Sequence, residues 1–130
     1  MIFYAKSAAQ MLANASYLES HYQNVLIHLL QEEKIIVSRE LHINYLLPDG
    51  FCFGYGRIDL YIETIDTIYI LELKINCVGS KVQAAKNQLK RYMIHIPNPH
   101  KKQVKGCLIN FLGNGRHVFN TITLATQKPA

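Results

Sequence analysis

The spacing of apolar residues in the first third of the chain predicts helix. Apolar side chains recur every three or four positions from Ser7 to Leu30. We expect a first helix over Ser7 to Ala13, a break near Asn14, and then a second piece. The second piece has the clearer apolar stripe, at Leu18, Tyr22, Val25, Leu26, Leu29 and Leu30. Ser16 stands three residues before Glu19, a capping-box spacing that predicts a helix start.

The pattern then changes to that of strands. Ile35 to Leu47 is rich in β-branched and aliphatic residues, and Pro48-Asp49-Gly50 predicts a turn. Gly56 to Glu63 alternates between apolar and polar positions, and Thr67 to Ile75 is a further strand.

The rest of the chain predicts one more helix and two strands. A helical stripe runs from about Lys81 to His95 and stops before Pro97 and Pro99. Strands are expected at Val104 to Phe111 and at His117 to Leu124, joined by a turn at Gly113-Asn114-Gly115, with a loose end at Gln127 to Ala130. The order α-β-β-β-α-β-β predicts an α/β fold, a mixed β-sheet flanked by helices, in a single domain over residues 1–130.

Composition narrows the class of protein. Lysine and arginine number 14 against 9 acidic residues, and this net charge of +5 favours an anionic partner such as nucleic acid. Cys52, Cys77 and Cys107 are far apart and form no C-x-x-C pair, which argues against a zinc site and favours a reducing compartment. We see no signal peptide and no transmembrane-length apolar run, so an intracellular protein without a membrane partner is expected.

Three charged residues stand in two neighbouring apolar strands. Glu72 and Lys74 are two apart, so both side chains point to one face of their strand. If the hairpin turns on Ile65 and Asp66, Asp59 stands directly across from Glu72, and a slip of one residue would put Asp59 on the wrong face.

Two facing carboxylates repel each other unless a proton or a cation lies between them. Oxygen ligands of this kind suit Mg²⁺ or Mn²⁺, which can activate a water molecule and offset the charge on a phosphate, with Lys74 as a fixed positive charge beside the ion. The alternative is a solvated Asp59 and an ordinary ion pair between Glu72 and Lys74.

The order of these residues resembles the core of the PD-(D/E)XK nucleases. In that core an Asp precedes a Glu-x-Lys triplet, here Asp59 and Glu72-Leu73-Lys74. Within the superfamily the chain is most similar to the small proteins named for a GxxExxY motif. Ser16 to Tyr22 stands at that motif with Ser16 in place of the glycine, Ala85 to Tyr92 resembles the glutamine-containing helix, and Gly106 to Phe111 resembles the strand that ends in Asn-Phe.

The resemblance implies a restriction-endonuclease-like core and a role for several residues. Asp59, Glu72 and the backbone carbonyl of Leu73 would bind the metal, and Lys74 would be catalytic. Glu19 would be a further acidic residue at the metal centre, although it can instead be the capping partner of Ser16. Gln88 would lie near the site from the helix after the Glu-x-Lys strand.

Basic residues near this centre are candidates for contact with nucleic acid. Arg57 shares a strand face with Asp59, the alternative being an ion pair with Glu63. Lys81, Ala84, Gln88, Arg91 and His95 share one side of the predicted helix, which is either a phosphate-facing stripe or a solvated face. Lys101, Lys102 and Lys105 form a basic loop that either follows a nucleic-acid backbone or is simply solvated.

These observations lead to the hypothesis of a metal-dependent nuclease that hydrolyses phosphodiester bonds of DNA with a metal-activated water. The alternatives are a nuclease-like fold that binds nucleic acid without cutting it, and an interaction protein with a vestigial site. A nuclease core of this size has little surface for sequence readout, which makes a homodimer or a further partner plausible.

Overall fold

The computed structural model describes residues 1–124 and has the order α-α-β-β-β-α-β-β, in which the two expected helical pieces at the start are separate helices. The helices and strands are α1 (Ile2–Met11), α2 (Glu19–Glu32), β1 (Val37–Leu46), β2 (Cys52–Glu63), β3 (Thr67–Ile75), α3 (Ser80–His95), β4 (Gln103–Gly113) and β5 (Arg116–Ile122). The predicted loose end at Gln127 to Ala130 lies outside the described residues. No helix within residues 1–124 is both long and apolar enough to cross a membrane.

The five strands form one mixed sheet in the order β1-β2-β3-β4-β5. Neighbouring strands are antiparallel except for β3 and β4, which are parallel and are connected through α3. The α/β fold with a mixed sheet flanked by helices is therefore confirmed. Strand β3 lies at the centre of the sheet, and helices cover both of its faces.

Side chains of the central strand alternate between two cores. Leu71 and Leu73 pack with α1 and α2, whereas Ile68 and Ile70 pack with α3. A strand covered on both faces carries apolar residues at successive positions. Glu72 and Lys74 continue the series that faces α3.

Several helix and strand boundaries differ from the expected ones. Helix α1 begins at Ile2 rather than Ser7, and α2 begins at Glu19 with Leu18 as its N-cap, so the predicted capping box of Ser16 and Glu19 is wrong. The Nδ1 atom of His21 instead accepts a hydrogen bond from the backbone N–H of Leu18 at 3.1 Å.

The hairpin between β2 and β3 has the register that the sequence predicts. Leu60 pairs with Leu71 and Glu63 with Ile68. The backbone N–H of Thr64 donates to the carbonyl of Thr67 at 2.8 Å, which leaves Ile65 and Asp66 as the loop. Continued by one residue, this register would set Asp59 opposite Glu72, but the pairing of β2 with β3 ends at Leu60 and Leu71, so Asp59 and Glu72 do not form a paired position.

Strand β2 pairs with β3 only from Leu60 to Glu63, and the residues of β2 before Leu60 pair with β1 alone. Ile58 lies in the core beneath α3 whereas Leu60, two residues on, lies in the other core, so β2 twists sharply at Asp59. Glu40, opposite this point on β1, has a left-handed φ of 52°. The two-stranded part formed by residues 41–58 is called the β1–β2 arm below.

The turn at the tip of the arm is as expected. The N–H of Gly50, with φ 92°, donates to the carbonyl of Leu47 at 2.9 Å. Asp49 accepts a hydrogen bond from the N–H of Phe51 at 2.9 Å. Strand β2 therefore begins at Cys52, four residues before the predicted Gly56.

Candidate active site

The parting of β2 from β3 opens a space that the Asp59 side chain occupies. Its Oδ2 atom accepts a hydrogen bond from the backbone N–H of Leu73 at 2.9 Å. The N–H and the C=O of one strand residue point to the same side, so the Leu73 carbonyl also points toward Asp59 and away from β4. A carboxylate and a carbonyl thus meet where the ladder between the two strands ends.

Glu72 is a buried carboxyl with one oxygen unsatisfied. The residue is 4% exposed. Its Oε1 atom lies 3.5 Å from Nζ of Lys74, while Oε2 is buried with no hydrogen-bond partner among the described residues. Buried polar atoms almost always have a partner, so such an atom calls for an explanation.

Three carboxyl groups around this point disfavour one another's charge. Burial and then the charge of Asp59 raise the pKa of Glu72 to about 8, against the opposing effect of Lys74. The pKa of Asp59 is raised by burial, and that of Glu19 by burial and then by Asp59. Either a proton or a cation is therefore needed among them at neutral pH.

Helix α2 reaches the site with two side chains from its first turns. Glu19 is its first residue, and Gln23 follows one turn later. The Gln23 amide donates to the backbone carbonyl of Asp59 at 3.1 Å and accepts a hydrogen bond from Arg39 at 2.7 Å. Gln23 was missed in the sequence, although its position four residues after Glu19 on one helix is the signal that could have found it.

Helix α3 contributes Gln88 and Tyr92 from the other side of the sheet. The Gln88 amide donates to the Tyr92 hydroxyl at 2.7 Å. Tyr92 is 2% exposed, and burial together with the charge of Glu72 raises its pKa to about 12. A side chain on Gly56 would collide with the rings of Tyr45 and Tyr92, so glycine is what allows the arm to close over α3 here.

Most of the predicted site residues line one open cavity of about 460 Å³. It brings together Glu19, Asp59, Glu72, Lys74 and Gln88, together with Arg57, Arg91, Tyr45, Tyr55, Gly56 and Tyr92. A neighbouring cavity of about 490 Å³ continues along α3 and is lined by Lys81, Ala84, Gln88, Arg91 and Lys74, among others. We refer to the two together as the cleft.

His95, the last member of the predicted helical stripe, lies away from these cavities. Its ring centroid is 4.8 Å from that of Tyr45, and its Nδ1 atom accepts a hydrogen bond from the N–H of Leu46 at 3.4 Å. His95 therefore anchors the β1–β2 arm to α3.

The basic loop before β4 is not brought to the cleft. Gln103 pairs with Thr67, the first residue of β3, and seven residues of strand, roughly 23 Å, separate that end from Lys74. The Nζ atom of Lys102 lies 2.7 Å from Oε2 of Glu63 and donates to the backbone carbonyl of Thr64 at 2.6 Å. The ion-pair partner of Glu63 is therefore Lys102, and the predicted alternative of an Arg57–Glu63 pair is not formed. Lys101 is exposed in the loop, whereas Lys105 belongs to β4 rather than to the predicted loop, with its Nζ atom 6.0 Å from the ring centroid of Tyr69.

Two of the flanking motifs have structural roles. Tyr22 and Phe111 stack with ring centroids 4.1 Å apart. The buried amide of Asn110 accepts from the N–H of Cys77 at 3.0 Å and donates to its carbonyl at 2.6 Å. These contacts fix the connection from β3 to α3, which lines the cleft.

Comparison with known proteins identifies the family. A family model described as PD-(D/E)XK nuclease superfamily matches residues 8–121, most of the chain. This chain belongs to the PD-(D/E)XK nuclease superfamily. No curated protein matches. The crystal structure of SSO0001 is similar in fold, with 17% sequence identity and a TM-score of 0.50 over 95% of this chain and 78% of that one.

Members of the PD-(D/E)XK superfamily are typically metal-dependent nucleases, and the residues present here fit a divalent ion. Asp59 and Glu72 offer carboxylate oxygens, one of them unsatisfied, and the Leu73 carbonyl points to the same place. Within residues 1–124, no three His, Cys, Asp or Glu side chains are grouped closely enough to form a ligand set by themselves. The candidate set is accordingly two carboxylates and one carbonyl, with space for water.

The raised pKa of Glu72 predicts how the stability of the metal-free PD-(D/E)XK protein depends on pH. With a pKa of about 8 against an ordinary value of 4.5, Glu72 holds its proton more tightly in the folded state. The free energy of unfolding should therefore fall between about pH 4.5 and 8, by on the order of 1 kcal/mol per pH unit. Asp59 and Glu19 act in the same direction.

Urea unfolding in chelator from pH 5 to pH 8 measures this dependence. We expect Glu72→Gln to flatten it, while Glu33→Gln, which alters an exposed residue at the end of α2, should retain it. A wild type whose stability rises over this range, or a Glu72→Gln curve parallel to that of the wild type, would contradict the assignment.

Proposed function

We propose that this PD-(D/E)XK protein is a divalent-metal-dependent nuclease that hydrolyses phosphodiester bonds of DNA. Asp59, Glu72 and the Leu73 carbonyl would hold Mg²⁺ or Mn²⁺. The observation that carries the proposal is the buried and unpaired Oε2 of Glu72, placed beside Asp59 and one strand position from the Leu73 carbonyl. A cation there would satisfy the unpaired oxygen and remove the repulsion between the carboxylates.

The proposed chemistry divides between the ion and the side chains. When bound, the ion supplies a lowered pKa for water and positive charge for the phosphate. The Lys74 ammonium, 3.5 Å from Glu72, would stabilise the negative charge that develops on the phosphate oxygens. Glu19 and Gln88 border the same cavity and would orient the attacking water and the phosphate by hydrogen bonds.

The basic residues of the cleft would hold the nucleic-acid backbone. Arg57 and Arg91 line the cavity that contains the carboxylates, and Lys81 lines its continuation along α3. Contact of Lys101, Lys102 and Lys105 with nucleic acid stays a prediction; these lysines would need a substrate that extends to the opposite end of β3.

The finer classification is also a proposal. The stacking of Tyr22 on Phe111 and the position of Glu19 at the cleft support membership of the GxxExxY type. The three cysteines are free, which is consistent with an intracellular, reducing compartment. We propose that residues 1–130 act as one nuclease domain. We also propose that two copies form a homodimer, which would offer a larger surface for binding DNA than one copy.

A cleavage assay tests the proposed function. Single-stranded and duplex DNA and RNA are each incubated with the protein in Mg²⁺, in Mn²⁺ and in chelator. We expect DNA to be cut with either ion and to remain intact in chelator. Binding without cleavage in every ion would establish the nucleic-acid-binding alternative, and the absence of both binding and cleavage would favour a protein-interaction module.

A further inference from the structure

We propose that the β1–β2 arm binds unpaired bases, so that the substrate of this site is single-stranded DNA or a splayed end. Tyr55 and Phe53 would stack on the bases while the backbone enters the cleft. The inference deepens the proposed nuclease function and rests on it for the reaction, although base binding by the arm can be tested without cleavage.

The arm exposes aromatic rings that no core accounts for. Phe53 is 53% and Tyr55 is 73% exposed. Isolated exposed apolar residues are common on protein surfaces, but a group of rings on one two-stranded projection is not explained by packing. Flat rings with free faces are the feature that proteins use to bind unpaired bases.

The rings are held in place before any ligand binds. Tyr55 stacks on His42 with centroids 5.3 Å apart and planes at 29°, so that one face is covered and the other is open to a further ring. The ring centroid of Phe53 lies 6.1 Å from that of Tyr45 and 5.6 Å from that of His95, a residue of α3. A surface ordered in advance loses less conformational entropy on binding.

The aromatic surface is continuous with the cleft. Tyr45 and Tyr55 line the same cavity as Asp59 and Glu72. Four strand residues, roughly 13 Å, separate Tyr55 from Asp59, a distance that a few nucleotides span. A base stacked on Tyr55 would therefore leave a phosphate a few nucleotides along the strand near the carboxylates and Lys74.

The charge of the arm does not oppose the binding of a polyanion, because its one carboxylate and its one guanidinium balance and lie at opposite ends. Asp49 and Arg57 are the charged residues within residues 41–58, with His42 and its ring beside Tyr55. Asp49 is at the tip, where its carboxylate accepts the N–H of Phe51, whereas Arg57 lies in the cavity. The positive charge of the arm thus lies at its cleft end, where a phosphate could meet it, and its negative charge lies at the tip.

Stacking on the arm requires bases that are not already paired and stacked. In a duplex the base faces are covered by their neighbours, so Tyr55 and Phe53 would have access to terminal pairs alone. The arm should for this reason distinguish single strands from duplexes, whereas phosphate contacts by Arg57 and Arg91 should not.

Binding in chelator separates the arm from catalysis. Labelled oligothymidine and a duplex of equal length are titrated with wild type, with Phe53→Ala and with Tyr55→Ala. We expect each substitution to weaken single-strand binding by about 5- to 100-fold, the usual effect of losing one stacking partner, and to change duplex binding little. Phe3→Ala, which removes a ring that is 70% exposed on α1, is the control and should bind as wild type does.

Tyr55→Trp gives a second readout that does not depend on loss of binding. The chain has no tryptophan, so this indole would be its single tryptophan fluorophore. We expect it to retain single-strand affinity and to be quenched on addition of oligothymidine but not of blunt duplex. Unchanged emission with bound oligonucleotide, or equal weakening of single-strand and duplex binding by Tyr55→Ala, would overturn the inference.

Two further outcomes keep the inference and the proposed function apart. If the wild type binds single strands through Phe53 and Tyr55 but cuts nothing in Mg²⁺ or Mn²⁺, the arm assignment stands and the nuclease proposal fails. If Phe53→Ala leaves oligonucleotide binding intact but dissociates a dimer in sedimentation, the arm is an interface between two copies and the inference fails.

Discussion

Lys74→Ala is expected to lower the single-turnover rate of DNA cleavage by at least about 10²- to 10³-fold, with DNA binding in chelator close to that of wild type. The Nζ atom of Lys74 lies 3.5 Å from Oε1 of Glu72, and Lys74 lines the cavity that contains the carboxylates. Its proposed role is to stabilise charge that appears as the phosphate reacts. Such an interaction lowers the barrier more than it tightens the bound ground state.

Two substitutions on α3 serve as comparisons for Lys74→Ala, which lies on β3. Arg91→Ala should weaken DNA binding and reduce its dependence on salt, because one phosphate contact is lost. Lys90→Ala, which alters the exposed neighbouring residue, should change neither rate nor affinity. Cleavage by Lys74→Ala at the wild-type rate would show that the proposed chemistry is wrong, whatever its effect on binding.

The second large effect concerns metal binding in the absence of DNA. Mg²⁺ or Mn²⁺ at about 100 times its Kd should stabilise the folded wild type by about 2.7 kcal/mol, which raises the Tm of a domain of this size by roughly 10 °C. Asp59→Asn should lose most of this rise, because it removes one of the two carboxylates. Thermal unfolding of both proteins at increasing metal concentration, with constant pH and ionic strength, measures this rise in Tm.

The rise in Tm, rather than the Tm itself, has to be compared. Asp59→Asn also removes the repulsion that raises the pKa of Glu72, so the metal-free variant has no reason to be less stable than wild type. Glu33→Gln loses an equivalent charge at an exposed position and should keep the full response. Equal responses of wild type and Asp59→Asn would exclude Asp59 as a metal ligand.

The hairpin that carries the site could be predicted because its register is determined locally. The alternation of apolar and polar residues on β2 and the placing of Glu72 and Lys74 on β3 permit one parity, and the loop at Ile65 and Asp66 sets the offset, as the pairing of Leu60 with Leu71 confirms. The face shared by Glu72 and Lys74 follows from strand geometry alone. These features depend on residues fewer than twenty positions apart.

The environment of the site depends on contacts that are distant in sequence. The hydrogen bond from Gln23 to the carbonyl of Asp59 joins residues 36 positions apart. The early start of β2 was not predicted because Gly54 and Gly56 weaken a strand pattern. Their function becomes visible only when the ring of Tyr45 is seen against them.

The twist of β2 at Asp59 also bears on how the molecule loses its active site. Where the two strands part, α2 holds the backbone of Asp59 from one side through Gln23, and α3 reaches the cavity from the other side through Gln88. Detachment of either helix in a partial opening would therefore dismantle the site while much of the sheet persisted. The fraction of molecules with an intact active site is therefore set by whichever of the two helices detaches from the sheet more easily. Amide hydrogen exchange in both helices should slow together when metal or DNA binds.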